Sequence, residues 1–320
     1  MKKIINVLIN GFQVIIDNLK NLLKEEESIP PVIEPPIIIP PVEPTEPLND
    51  TLAAARGKGA FLYYFDPIYK EEGGIDKAIT WFKYLGLDNV WMRIVGKSGW
   101  SATQTKEQAK ELIKKCKENN INVGAWGFIY DPDEDPDRYA DYVIEFVKEL
   151  DLNLFVHNME YDHEDDNLST EIKHAEIYWK KITDNIPNVC HGLSSYWNPD
   201  YHNLAWNIHM NYCSFIAPQA YWVNKDPIEI LQKAINLNCK FNRPIVLTSQ
   251  AFWGEMGITE SGATNGFKKM CENWNSDLGQ LCLDKKVIGV NMWHAGGQGF
   301  AAMNETMEED FSKFNPILFG

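Results

Sequence analysis

Positive charge is scarce in this chain: 30 lysines and arginines face 45 aspartates and glutamates, for a formal net charge of −15. A protein neutralises phosphates with a basic stripe, and none stands out here, so no nucleic-acid partner is expected. An acidic surface suits a neutral polysaccharide better than an anionic polymer. Cysteine is sparse too. Cys116, Cys190, Cys213, Cys239, Cys271 and Cys282 are scattered without a CxxC pair, which fits buried free thiols rather than a disulfide framework. No GxSxG occurs, which argues against a serine hydrolase elbow. No HExxH or tight histidine pair occurs, so neither a metal nor a cofactor is expected. The alternating aspartates Asp131, Asp133, Asp135 and Asp137 lack the turn glycine and distal glutamate of a calcium loop, and read as a solvated acidic loop.

The N-terminal apolar run Ile4 to Ile16 is too short to span a bilayer, and no small-residue cleavage site follows it, so a cleaved signal is not expected. Ile5, Leu8, Phe12, Ile15, Leu19 and Leu22 step by 3, 4, 3, 4 and 3, the seam of a short coiled coil. Residues 1–27 therefore read as a helix that self-associates or docks on a larger assembly. A helix lying on a membrane surface is the competing reading. Residues 28–57 carry the proline tract Pro30-Pro31, Pro35-Pro36, Pro40-Pro41, Pro44 and Pro47. Proline fixes φ and lacks the amide donor, so this stretch is expected to be an extended, semi-rigid spacer. An anchor, a spacer and a globular head suggest display from a virion or cell envelope, or an extracellular setting.

From residue 58 to 320 the pattern alternates strand and helix. Strands are expected at Ala60–Asp66, Asn89–Val95, Asn122–Ile129, Asn153–Glu160, Val189–Tyr196, Phe215–Trp222, Pro244–Phe252 and Val287–Trp293. Helices are expected at Gly74–Leu85, Lys106–Asn119, Pro136–Leu150, Thr170–Asn185 and Pro227–Leu237, with Asp135 and Asp226 as N-caps before proline. Eight strand–crossover units predict an α/β fold, a closed (β/α)8 TIM barrel. The alternative open, doubly wound sheet would want a Gly-rich phosphate turn after its first strand, and none is present.

Barrel active sites sit at the C-terminal ends of the strands. Read there, the candidates are Tyr64 and Asp66; Arg93; Trp126 and Tyr130; Asn158, Glu160 and Asp162; Tyr196 and Trp197; Gln219, Tyr221 and Trp222; Gln250, Trp253 and Glu255; and Trp293 with His294. Aromatic rings stack on the apolar faces of sugars, and amides and carboxylates read hydroxyls. Recurrence at strand after strand points to a carbohydrate ligand more than any one residue does. Side chains alternate along a strand, so Asn158, Glu160 and Asp162 share one direction. A glutamate partly buried among aromatics has its charged form disfavoured, which suits the acid that protonates a leaving glycosidic oxygen.

This pattern resembles that of glycoside hydrolases whose fourth barrel strand ends in a carboxylate-x-Glu pair: the chitinase-like family 18 enzymes and the family 25 lysozymes. The chain departs from them at the first carboxylate, where it has Asn158. The pair Asn158-x-Glu160 resembles that of the family 85 endo-β-N-acetylglucosaminidases. That resemblance implies that Glu160 is the acid/base, while Asn158 and Tyr221 hold the substrate's own acetamido group as nucleophile. It also places Asp66 in the position of an aspartate of the family 25 lysozymes. Asp66 or Asp162 as second carboxylate of a conventional pair stays open. The expected partner is an N-acetylhexosamine-containing glycan. Two other readings remain: a non-catalytic glycan-binding barrel, and an enzyme of other chemistry in which Arg93 and the loop Gly296-Gly297-Gln298-Gly299 bind a phosphate.

Overall fold

The computed structural model describes residues 50–71, 73–101, 103–129, 135–160, 168–202, 204–295 and 302–320. The expected N-terminal helix, most of the proline spacer, Tyr130, Asp131, Asp133, Asp162 and the glycine loop 296–299 lie outside the described residues. Leu48–Gly320 forms one compact unit.

Eight parallel strands close on themselves: β1 Gly57–Leu62, β2 Asn89–Gly96, β3 Asn122–Phe128, β4 Leu154–Asn158, β5 Cys190–Tyr196, β6 Phe215–Ala220, β7 Ile245–Gln250 and β8 Val287–Ala295. Each pairs with its neighbour in chain order, and β1 pairs with both β2 and β8 to shut the barrel. Gly99–Trp100 adds a short antiparallel hairpin to the end of β2. The helices are α1 Phe65–Glu71, α2 Ile75–Leu85, α3 Lys106–Glu118, α4 Pro136–Glu149, α5 Leu168–Asn185, α6 Trp206–Tyr212, α7 Pro227–Asn238, α8 Glu260–Asn273, α9 Gly279–Asp284 and α10 Glu305–Lys313. The (β/α)8 barrel expected from the alternation is the observed fold.

Local chemistry explains where the helices begin. Thr105 caps α3 through a reciprocal capping box with Gln108. The Asp135 carboxylate accepts from the Asp137 amide ahead of α4, and Asp226 accepts from Ile228 and Glu229 ahead of α7, each with proline in the first turn. The expected first strand, by contrast, ends early. β1 stops at Leu62 and α1 begins at Phe65, so Asp66 stands on a helix rather than at a strand end.

Two cores result. One fills the space between strands and helices. The other fills the barrel itself with Phe61, Trp91, Trp126, Leu154, Val156 and Phe215. Glycines inside the barrel make room for those rings: a Cβ on Gly192 would come within 2.1 Å of the Phe215 ring, and one on Gly124 within 2.9 Å of Trp91. The N-terminal end of the barrel is plugged by a 3-10 turn, Asp50–Ala55. Leu52, Ala54 and Ala55 pack into the inner core, and the Trp91 indole donates to the Ala54 carbonyl at 2.6 Å.

Candidate active site

The barrel core is solid below and open above. Its inward-facing positions step upward by two residues along each strand: Trp91 to Arg93, Trp126 to Phe128, Val156 to Asn158, and Ala217 to Gln219. At the top these side chains stop filling the barrel and surround a cavity of about 230 Å³. Tyr63, Arg93, Trp126, Phe128, Asn158, Glu160, Glu255, Trp293 and His294 line it.

Glu160 stands two residues past the end of β4. The ladder continues one step beyond the strand, the Met159 amide donating to the Ser194 carbonyl at 2.9 Å, so Glu160 keeps the inward direction of Asn158. Three side chains then close on one another. Asn158 Nδ2 donates to Glu160 Oε1 at 3.0 Å, and Gln219 Nε2 donates to Asn158 Oδ1 and to Glu160 Oε1, each at 2.8 Å. Oε1 is thus anchored by two amide donors. Among the described residues, Oε2 accepts no hydrogen bond and is left for a ligand.

Tyr221 lies close to both glutamates. Burial first, and then the charges of Glu160 and Glu255, push its phenol well above the ordinary value. It therefore keeps its proton and can donate. Burial also raises the carboxyl of Glu255 above the ordinary carboxylate range.

The wall is aromatic. Tyr63 stacks on Trp126 with centroids 6.0 Å apart and planes at 22°, and Trp293 meets Trp126 edge-on at 5.1 Å. The Arg93 guanidinium lies over the Tyr63 and Trp126 rings at 4.9 and 5.4 Å. A cis peptide joins Trp293 to His294.

Of the residues read from the sequence, Asn158, Glu160, Arg93, Trp126, Trp293 and His294 meet in this cavity; Gln219 anchors its Glu160, and Tyr221 lies within electrostatic reach of both glutamates without lining the cavity. Others go elsewhere. Tyr64 packs edge-on behind Tyr63 at 4.5 Å, and it is Tyr63 that lines the cavity. Trp222 is 1% exposed in the core, its indole lying under Gly266 of α8. Gln250 is spent on the loop backbone, accepting from the Val223 amide at 2.7 Å. Trp253 packs against the outer core. Tyr196 stacks on His202 at 5.3 Å and Trp197 packs beside it, outside the cavity lining. Asp66 sits on α1, and Asp162 lies outside the described residues.

Glu255 is the second carboxylate of the cavity. It stood among the strand-end residues of the sequence but had no role assigned. Its loop, not its strand, delivers it, and periodicity says nothing about loops. Tyr63 and Phe128 were missed for another reason. Barrel strands are buried on both faces, so the sequence does not reveal which parity points inward.

No family model matches the chain, and no curated protein resembles it in sequence. Its fold does have solved counterparts. A chitinase active domain from Pyrococcus furiosus superposes with a TM-score of 0.55 at 11% identity, over 81% of this chain and 94% of that one. An endo-β-1,4-mannanase from Thermotoga petrophila gives 0.54 at 12% identity, over 81% and 75%. A β-galacturonidase from Eisenbergiella tayi gives 0.53 at 11%, over 82% of this chain and 52% of that one. At such identities the likeness is one of fold, the TIM barrel shared by these glycoside hydrolases.

Proposed function

We propose that the protein is a glycoside hydrolase acting on an N-acetylhexosamine-containing glycan, with Glu160 as its general acid/base. The observation that carries this reading is the hydrogen-bonded trio of Glu160, Asn158 and Gln219 beside an aromatic wall in the barrel mouth. Glu160 Oε1 is tethered, so Oε2 is the oxygen that holds and releases the proton. In the first step Oε2–H protonates the glycosidic oxygen as its bond to the anomeric carbon breaks. The acetamido carbonyl oxygen, held by the second Nδ2 hydrogen of Asn158 and by the Tyr221 hydroxyl, forms the new bond to that carbon. Glu160, now charged, takes a proton from water. The hydroxide equivalent attacks the anomeric carbon, opens the ring and restores the acetamide.

A second reading of the same chemistry is favoured by Glu255. Where two carboxylates flank the bond, Glu255 takes the place given above to Asp66 or Asp162, and its distance from Glu160 across a bound sugar sets retention or inversion. A de-N-acetylated oligosaccharide separates the two routes: it is cleaved if Glu255 is the second group and left intact if the acetamido group is the nucleophile. Asn158→Ala lowers the rate in both, because it removes a donor from Glu160 Oε1. It costs more than tenfold if it also releases the acetamido group, since a misplacement of about 1 Å can cost roughly a hundredfold. Residues 1–27 and the proline tract serve, in this reading, to tether the barrel to a virion, an envelope or another copy.

The test is release of reducing ends from chitin oligosaccharides, peptidoglycan and N-glycans by the wild type and by Glu160→Gln. Turnover in the wild type, reduced by roughly a hundredfold or more in the variant with binding intact, is the expected result. Binding without turnover in either protein would replace the hydrolase with a glycan-binding barrel.

A further inference from the structure

The cavity contains a cation that, among the described residues, has no ion-pair partner. Arg93 projects from β2 into the mouth, partly buried, and its Nε is shut away from solvent with no hydrogen-bond acceptor. Among the described residues its guanidinium forms no ion pair and donates no hydrogen bond. It rests on the rings of Tyr63 and Trp126. Glu160 and Glu255 line the same cavity, yet neither lies within ion-pair distance of it. Arginine carries five donors in a planar fork and cannot shed its charge, so a guanidinium whose Nε is buried with its hydrogen bond unmade carries a cost that a ligand acceptor would relieve.

We infer that Arg93 is the counter-ion for a carboxylate carried by the sugar chain, so that the substrate is an acidic rather than a neutral glycan. This rests on the glycosidase reading only in calling the ligand a sugar. A carboxylate matches the fork with two parallel hydrogen bonds. A phosphomonoester brings close to two negative charges into a cavity that already holds two carboxyl groups beside one arginine. A single negative charge meets less repulsion from those two carboxyl groups than a double one does. The net charge of −15 would repel an acidic polymer at long range. At physiological salt that repulsion is screened within about 8 Å, whereas the contact at Arg93 is local and partly dry.

Calorimetry on the full chain with Glu160→Gln, which halts turnover during titration, tests the inference. Three ligands are compared at fixed salt. They are an oligosaccharide alternating N-acetylglucosamine with glucuronic acid, the same chain with its carboxyls reduced to alcohols, and a neutral N-acetylglucosamine oligomer. The carboxylated chain should bind at least about tenfold tighter than its reduced form, as a hydrogen-bonded charge pair contributes roughly 1.5–3 kcal/mol. Adding Arg93→Gln should bring that ratio to about one, and Arg93→Lys should keep part of it. Equal binding of the carboxylated and reduced chains, a ratio unchanged in Arg93→Gln, or no binding of the acidic chain would each overturn the inference. So would displacement of the acidic chain by N-acetylglucosamine 6-phosphate at an equal concentration. The reduced ligand keeps the test sound if an Arg93 variant misfolds. A wild type that cleaves nothing but retains the ratio loses the hydrolase and keeps Arg93 as a carboxylate site. Equal cleavage of acidic and neutral chains with a ratio of one does the reverse.

Discussion

At the scale of single residues, the site depends on one amide more than its position suggests. Gln219 donates to both Asn158 and Glu160, so Gln219→Ala leaves two acceptors short at once. A hydrogen bond to a charged group contributes roughly 1.5–3 kcal/mol, and kcat is expected to fall about tenfold to a hundredfold with KM little changed. Steady-state kinetics on a soluble oligosaccharide would show it, and an unaltered kcat would mean that the trio is only packing. Glu255→Gln divides the mechanisms differently. Loss of turnover comparable to that of Glu160→Gln supports the two-carboxylate route, and retention of most activity supports the acetamido route. The sequence made Asn158 and Glu160 legible because alternation past a strand end is a local rule. It misplaced Tyr64 against Tyr63 and gave Trp222 to the ligand, because both faces of a barrel strand are apolar and neither choice can be read from one chain segment.

At the scale of elements, close packing explains several choices that propensity does not. α8 went unassigned in the sequence, where Gly262 and Gly266 weaken any helix signal. A Cβ at Gly266 would come within 2.5 Å of the Trp222 indole nitrogen, so the glycine that hides the helix is the one that lets the tryptophan bury. The same logic applies inside the barrel. Gly192→Ala forces the Phe215 ring aside and should destabilise the protein by about 1–3 kcal/mol, with partial rescue by Phe215→Leu. Urea unfolding of the two variants and the double mutant would measure it.

Behind β4 and β5 lies a buried polar chain. The Tyr178 hydroxyl meets His157 Nδ1 at 2.6 Å, and His157 Nε2 meets His191 Nδ1 at 3.1 Å. Next to it, the Trp179 indole donates to His209 Nδ1 at 2.9 Å, and His209 Nε2 meets Glu171 at 2.9 Å. Burial lowers His191 from 6.5 to about 4, and holds His157 well below the ordinary histidine value, burial again leading and the neighbouring histidines adding to it. The unfolded chain therefore binds more protons as pH drops below 6.5, and stability is lost as pH falls toward 4. For His191 alone the loss is on the order of 3 kcal/mol. Urea midpoints at pH 7 and pH 4.5 should differ accordingly, and His191→Gln should flatten the difference. An equal slope in that variant would place the acid sensitivity elsewhere.

At the scale of the whole molecule, the barrel begins earlier than the end of the expected spacer. Leu52, Ala54 and Ala55 complete its floor, the Asn89 amide donates to the Arg56 carbonyl at 2.8 Å, and Arg56 reaches the Gly320 carbonyl at 2.6 Å. A chain starting at Leu48 should melt where the full chain does. A chain starting at Lys58 loses a buried leucine and the acceptor for the Trp91 indole, about 3–5 kcal/mol together, which corresponds to roughly 10 °C in Tm. Thermal melts of the three chains decide this, and gel filtration of the first two reports whether residues 1–47 drive self-association.

Composition and periodicity by themselves determined the eightfold strand–helix alternation, the capped helix starts and the strand end that bears Asn158 and Glu160. Each of these follows from neighbours a few residues apart. Only the closed barrel decided which parity of each strand faces inward, that the loop after β7 delivers Glu255 to the cavity, and that Arg93 stands there with no ion-pair partner among the described residues. Those facts depend on register and closure among segments as far apart as Gly57 and Gly289, where the hydrophobic pattern is the same on both sides of the sheet.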